Sequence, residues 1–280
     1  MRYSPLAPRP LPLLPLLPLP LPLLIGVGVL SAVLGGCDVT IKDGDVSFNQ
    51  LHGRATRELT QKYPLTVAGT VEITNMNGPI EVTVGADGTV ELVAVLDGRA
   101  MTDARAKEIL SEARIEESVT PGHIKLTTVR SQRNSRLEVS YKVTVPQNTR
   151  VEMTGNNGTL KAEGLRGHVK AMMVNGSIEL TGLRGSVDAA SVNGGVSAKM
   201  ADVTARVRLE STNGRVELEI PKETKATLNA RAVNGGISVT GLSAQEASGR
   251  RIRNLESVLN GGGPEIDVRV MNGRITILGK

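Results

Sequence analysis

In the second half of the chain apolar residues alternate with polar ones, and the alternation is locked to a recurring Asn-Gly. The pairs stand at Asn157-Gly158, Asn175-Gly176, Asn193-Gly194, Asn213-Gly214 and Asn234-Gly235, in steps of 18, 18, 20 and 21 residues. Six, four and two residues before each Asn lie Val151, Met153 and Gly155; Val169, Ala171 and Met173; Val187, Ala189 and Ser191; Val207, Leu209 and Ser211; and Leu228, Ala230 and Ala232. Three and five residues after it come Leu160 and Ala162, Ile178 and Leu180, Val196 and Ala198, Val216 and Leu218, and Ile237 and Val239. Strand side chains alternate with period 2, so these positions share one face, predicted to be buried. Lys161, Glu179, Ser197, Glu217 and Ser238 fall on the other, wet face.

Asn-Gly is a hairpin signal, because both residues tolerate positive φ, yet a meander of hairpins would not hold one register through so many repeats. Coils that stack on one another about 4.8 Å apart satisfy the pattern better. The predicted fold is therefore all-β, a single-stranded β-solenoid (β-helix) with coils of 18–21 residues. A second corner shows in Gly164-Leu165-Arg166-Gly167, repeated as Gly182-Leu183-Arg184-Gly185. Stacking sets like residues above one another, so the corner asparagines either form an amide ladder or serve only as left-handed turn residues.

The register extends outward in both directions. Asn77-Gly78 has Val71, Ile73 and Asn75 before it and Ile80 and Val82 after; Asn272-Gly273 has Ile266, Val268 and Val270 before it and Ile275 and Ile277 after. Asn260-Gly261 is out of phase, which predicts an irregular stretch around Gly261-Gly262-Gly263-Pro264. Between the coil at Asn77 and the continuous repeats, the pattern predicts a strand over Thr89–Leu96, a short α-helix over Ala104–Ile115 capped by Thr102 or Asp103, and strands over Ile124–Val129 and Leu137–Val145. Such an insert would cover the first coil, whose open strand edge would otherwise recruit other chains. The organisation predicted is a leader over 1–36, a polar tether over 37–64, first coil plus capping insert over 65–150, and solenoid repeats over 151–280.

Composition narrows the function classes. With 3 Tyr, 1 Phe and no Trp among 280 residues, the core must be aliphatic, and the stacking platforms used to bind single-stranded nucleic acid are missing. The formal charge of +5 includes Arg2 and Arg9 of the leader; the remaining basic residues are scattered, which argues against a nucleic-acid groove and for a solvated face. In the leader, an apolar run from Leu21 to Leu34 ends in Leu34-Gly35-Gly36-Cys37. This resembles the bacterial lipobox, whose cysteine is lipidated and becomes the new N-terminus. Cys37 is the only cysteine, so no internal disulfide can form. The expectation is a protein held to a membrane by lipid on the non-cytoplasmic side of the cell envelope; Asp38 in the next position resembles an inner-membrane retention signal, and inner and outer membrane both stay open.

The order of elements, with Val145-Pro146, Val174-Asn175-Gly176 and Val233-Asn234-Gly235, resembles the bacterial β-strand-repeat family known as "putative adhesin", domain-of-unknown-function family 4097, over Leu65 to Lys280. The resemblance implies a secreted or anchored β-solenoid and carries no catalytic residues with it.

No reactive constellation competes with that reading. His52, His123 and His168 are too dispersed for a metal motif, and the residues after the corners (Thr159, Ser177, Gly195, Arg215 and Gly236) lack the aspartates of calcium-binding turns. Asn157-Gly158-Thr159 and Asn175-Gly176-Ser177 match the glycosylation sequon, but turn chemistry already accounts for them. Glu179 and Glu217 could form a carboxylate pair two coils apart, the arrangement a polysaccharide-cleaving enzyme would need. The expectation is a non-enzymatic, adhesin-like scaffold with no cofactor and no small-molecule substrate, whose partner is an envelope protein or glycan. A role as accessory of an envelope-stress or signalling system is the alternative, separable by the genes that neighbour it.

Overall fold

Like residues stack on like residues throughout this fold. A computed structural model of the chain describes residues 53–66, 68–129, 136–242 and 252–280. In chain order the elements are β1 (Gly53–Pro64), β2 (Thr70–Asn77), β3 (Ile80–Val84), β4 (Thr89–Ala100), α1 (Asp103–Glu112), β5 (Arg114–Thr120), β6 (His123–Val129), β7 (Leu137–Val145) and β8 (Arg150–Glu163). They continue with β9 (Val169–Leu183), β10 (Val187–Asn193), β11 (Val196–Met200), β12 (Val207–Ile220), β13 (Ala226–Thr240), β14 (Asn254–Leu259) and β15 (Glu265–Gly279). The repeats form the expected β-solenoid: each coil has two arms that meet at its Asn-Gly corner, and successive coils pair parallel and in register. Val151 lies beside Val169, Val169 beside Val187 and Val187 beside Val207; on the second arm Leu160 meets Ile178, and Ile178 meets Val196.

The period-2 positions fill the core as predicted. Val151, Val169, Val207, Leu160, Ile178 and Val216 are completely buried, as are Val71, Ile80, Ile266 and Ile275 in the outlying coils. Leu165 and Leu183 are likewise buried at the second corner. The Asn-Gly corner demands glycine for two reasons. Gly176 has φ 144°, and a Cβ there would sit 1.8 Å from the carbonyl oxygen of Gly158 in the coil below, closer than any non-bonded contact allows. The asparagines differ from expectation. Ala68 and Asn260 are the only non-glycine residues with positive φ among those described, so the in-phase corner asparagines are not left-handed turn residues and glycine alone carries the bend.

Both ends of the stack depart from a simple succession of coils. At the N-terminal end β6 and β7 form a further layer, with Ile124 and Leu126 on Val71 and Ile73, and Tyr141 and Val143 on Ile80 and Val82. Antiparallel strands then close the stack: β5 on β6, β4 on β7, and β1 outermost on β4. The stretch from Gly53 to Pro64, expected to be tether, is thus an edge strand. Its inward positions carry Arg57 and Gln61 beside Ala55, Leu59 and Tyr63, which disguised the alternation. The helix runs from Asp103 to Glu112, with Thr102 Oγ1 accepting the N–H of Arg105 at 3.3 Å, and Ile115 belongs to β5 instead. It buries Ala106, Ile109 and Leu110 against β1 and β4, so it lies on the outer antiparallel strands and not on the first coil.

At the other end the coil order is inverted. β15 pairs with β12 on one side and with β13 on the other, so the last coil in sequence inserts between the two before it. β14 pairs antiparallel with Ala226–Arg231 of β13 and covers that edge. The out-of-phase Asn260 has φ 47°, and its Nδ2 donates to the carbonyls of Lys222 and Thr224 at 2.8 and 2.9 Å. This fixes the return from β14 into β15.

Candidate functional site: an amide ladder and the arginine cluster at its end

Because the coils are in register, seven corner asparagines fall into one column on the surface. Asn157 Nδ2 donates to Asn77 Oδ1 at 2.8 Å, Asn175 to Asn157 at 3.1 Å, Asn193 to Asn175 at 3.0 Å and Asn213 to Asn193 at 2.9 Å. Asn272 then donates to Asn213, and Asn234 to Asn272, both at 2.8 Å. The order 213–272–234 repeats the inverted coil order. A primary amide has two N–H groups and two lone pairs, and a ladder bond on each side uses one of each. Asn175, Asn193, Asn213 and Asn272 therefore hold one N–H and one lone pair toward solvent in fixed orientation. Beside the ladder runs an exposed row containing Met76, Val174, Val192, Met271 and Val233, and on its other side Thr159 and Ser177 place their hydroxyls 3.4 Å apart.

Beneath the first rung the core becomes polar. Asn75 is buried, donates Nδ2 to Val139 O at 2.7 Å and accepts from Thr128 Oγ1 at 3.0 Å. Thr128 has a single hydroxyl proton, so the 2.7 Å contact to Tyr141 must have the tyrosine O–H as donor. Burial pushes the Tyr141 phenol up to about 12, against the opposing effect of the Thr128 bond, so it stays protonated. This chain fixes the position of Asn77, whose Nδ2 donates to Leu137 O at 3.2 Å.

Next to that end of the ladder is an open cavity of about 920 Å³, lined by Asn77, Asn157, Thr159, Arg99, Arg136 and Glu138. Arg99 is held by Asp97, with Nε and Nη2 at 3.1 and 2.9 Å from Oδ2, while Arg54 grips the same carboxylate at 3.1 and 2.9 Å. Burial alone would raise the Asp97 carboxyl, but the Arg99 and Arg54 guanidiniums together hold it below the usual carboxylate range. Glu138 approaches Arg99 only to 3.7 Å. Among the described residues Arg136 has no partner for its guanidinium. Nothing in the sequence marks these residues as a group, since β1, β4 and β7 bring Arg54, Asp97, Arg99 and Glu138 together from positions up to 84 apart.

The other candidates do not assemble. Glu179 pairs with Lys161 at 3.1 Å, and Glu217 contacts Arg215 at 3.4 Å; both carboxylates are exposed and serve as solvated ion pairs on separate coils. His123 Nε2 lies 3.5 Å from Glu72, and His168 Nδ1 lies 2.7 Å from Ser186 Oγ; burial, then the positive charge of Arg150, lower the pKa of His168. No group of three His, Cys, Asp or Glu able to hold a metal occurs among the described residues. The sequon residues Asn157 and Asn175 have their amides in the ladder. Cys37 and His52 lie outside the described residues, as do the leader and the first part of the expected tether.

Stacked in-register coils, capped ends and chemistry confined to the outer faces define a β-solenoid of the Toastrack type. The chain belongs to the Toastrack family, domain-of-unknown-function family 4097, whose family model matches residues 36–278. Among solved structures it is similar to a "putative cell adhesion protein" from Clostridium sporogenes, at 10% identity over 80% of this chain and 100% of that one, with a TM-score of 0.49. It is also similar to a "putative adhesin" from Bacteroides fragilis, at 12% identity, 80% and 97% coverage and a TM-score of 0.32. A "putative lipid binding protein" from Parabacteroides distasonis matches at 12% identity, 80% and 96% coverage and a TM-score of 0.29. No curated protein sequence matches this chain.

Proposed function

We propose that this protein is a non-enzymatic, lipid-anchored envelope protein that presents one face of its solenoid to an envelope partner, in the manner of an adhesin. The observation that carries this reading is the ladder face, a column of fixed amides bordered by the exposed Val174, Val192, Val233 and Met271. Aliphatic side chains set in a row beside oriented polar groups are the usual composition of an interaction surface. Antiparallel strands over the N-terminal end, and β14 on the first arm of the C-terminal end, favour use of the flank over end-to-end stacking. Cys37 supplies the attachment: several acyl chains on one residue, each buried methylene adding about 0.8 kcal/mol, give long-lived anchoring.

The test has two arms. Cys37→Ser should release the protein from membranes or block its processing, and unchanged fractionation refutes the anchor. For the surface, full-length protein in detergent is used to capture envelope polymers and proteins; a charged replacement in the apolar row, Val192→Glu, should abolish capture without lowering the melting temperature. Capture by the variant equal to wild type removes the ladder face from the function.

A further inference from the structure

The ladder ends in a place unlike the rest of the surface. Along its length the flank carries Thr159, Ser177, Arg215 paired with Glu217, and the exposed Arg274, but at Asn77 and Asn157 it opens into the 920 Å³ cavity, where Arg99 and Arg136 stand together on one wall. The cavity wall itself holds two arginines, Arg99 and Arg136, against one carboxylate, Glu138, while Asp97 and Asp103, which meet Arg54, are not part of its lining. Asp97 is already saturated by two guanidiniums, and Glu138 makes only a loose contact with one. Of the two wall arginines, Arg136 is exposed and has no ion-pair partner among the described residues. A planar guanidinium offers a fork of N–H donors matched to a carboxylate.

We infer that this cavity and the adjoining ladder bind an acidic polysaccharide, with a sugar carboxylate on Arg136 and Arg99 and the sugar hydroxyls on Thr159 and the asparagine amides. The cavity supplies the charge, and the ladder supplies what a polyhydroxyl chain needs: N–H donors and oxygen acceptors alternating at the strand spacing of about 4.8 Å. Sugar hydroxyls both donate and accept, so they can satisfy both kinds of free ladder group at once. An acidic peptide would use the arginines but has no comparable row of hydroxyls for the amides. Neutral glycans would use the amides and leave Arg136 without a counter-charge. This inference rests on the proposed role of the ladder face and names the chemistry of its partner.

The experiment is calorimetric titration of the full-length protein, in detergent micelles at low salt, with oligogalacturonate, with dextran of equal length and with poly-glutamate. Binding of oligogalacturonate that weakens as salt is added, with dextran and poly-glutamate each at least about tenfold weaker, is the expected result. Arg136→Ala should weaken oligogalacturonate about tenfold or more, the effect of removing one charge-assisted fork. Arg136→Lys should recover part of the loss, and Arg231→Ala in the groove at the opposite end should change nothing. Melting temperatures of the variants serve as the control for folding. Equal affinity of Arg136→Ala and wild type, equal binding of dextran, equal binding of poly-glutamate, or no binding of oligogalacturonate each overturn the inference. If envelope capture still depends on Val192 while oligogalacturonate fails, only the acidic-glycan site is lost and the ladder-face function stands.

Discussion

Two adjacent glycines in the central coil provide a sharp test of the stacking argument. Gly194 has φ 154°, and a Cβ built on it meets the Gly176 carbonyl oxygen at 1.9 Å and its carbon at 2.6 Å. Ordinary contact between such atoms is above 3 Å, so Gly194→Ala must push the coil away from its neighbour by about 1 Å. That displacement strains or breaks the backbone bond from Gly194 N to Asn213 O, 2.9 Å long, and the amide rungs Asn193 makes at 3.0 and 2.9 Å. Forcing alanine into a glycine-only backbone region costs about 1–3 kcal/mol, and each hydrogen bond lost adds about 1 kcal/mol. The expected destabilisation is about 3–5 kcal/mol. Gly195, the next residue, has no left-handed φ, and its Cβ would have nothing nearer than Arg215 O at 3.4 Å, an ordinary contact. Gly195→Ala should therefore be neutral or stabilising by up to about 1 kcal/mol, because it restricts the unfolded chain. Urea unfolding followed by far-ultraviolet circular dichroism measures both. Similar midpoints for the two variants would refute the claim that backbone contact between coils dictates the corner.

Asp97→Asn should destabilise the N-terminal end by about 1–3 kcal/mol by leaving Arg54 and Arg99 without their shared carboxylate. The Asp97 pKa is lowered in the fold, so its contribution is fully present above the unfolded carboxylate value near 4 and is lost as pH falls through the lower folded value; melting curves from pH 6 to 2 should show a smaller acid loss in the variant. Asn193→Ala removes two exposed rungs and should cost about 1–2 kcal/mol in the same unfolding assay; no loss would mean the ladder is decorative. Ile178→Asp buries an unpaired charge in the core and should cost more than about 4 kcal/mol or abolish folding, while Glu179→Lys, one residue away on the wet face, should stay within about 0.5 kcal/mol. Equal effects at 178 and 179 would invert the inside and outside faces.

Much of this protein was determined by local pattern. Period-2 alternation around Asn-Gly marks which side chains enter the core, and fixed spacing implies parallel stacking, because only coils in register keep Val on Val and Gly on Gly. The helix at Asp103–Glu112 was legible because apolar residues at helical spacing follow a capping threonine. The tertiary structure decided what depends on edges and on contacts distant in sequence. Whether the last coil follows the sixth or slips beneath it cannot be encoded in a repeat whose copies present nearly the same face, so β15 lies between β12 and β13. An edge strand needs only one half-covered face, so β1 carries Arg57 and Gln61 at inward positions and loses the alternation that would announce it. The asparagines illustrate the division: their spacing is visible in the chain, but their backbone conformation and shared amide column exist only once seven corners are brought together. The same holds for Arg54, Asp97, Arg99 and Arg136, which have meaning as a cluster only because antiparallel pairing of β1, β4 and β7 sets them side by side at the end of that column.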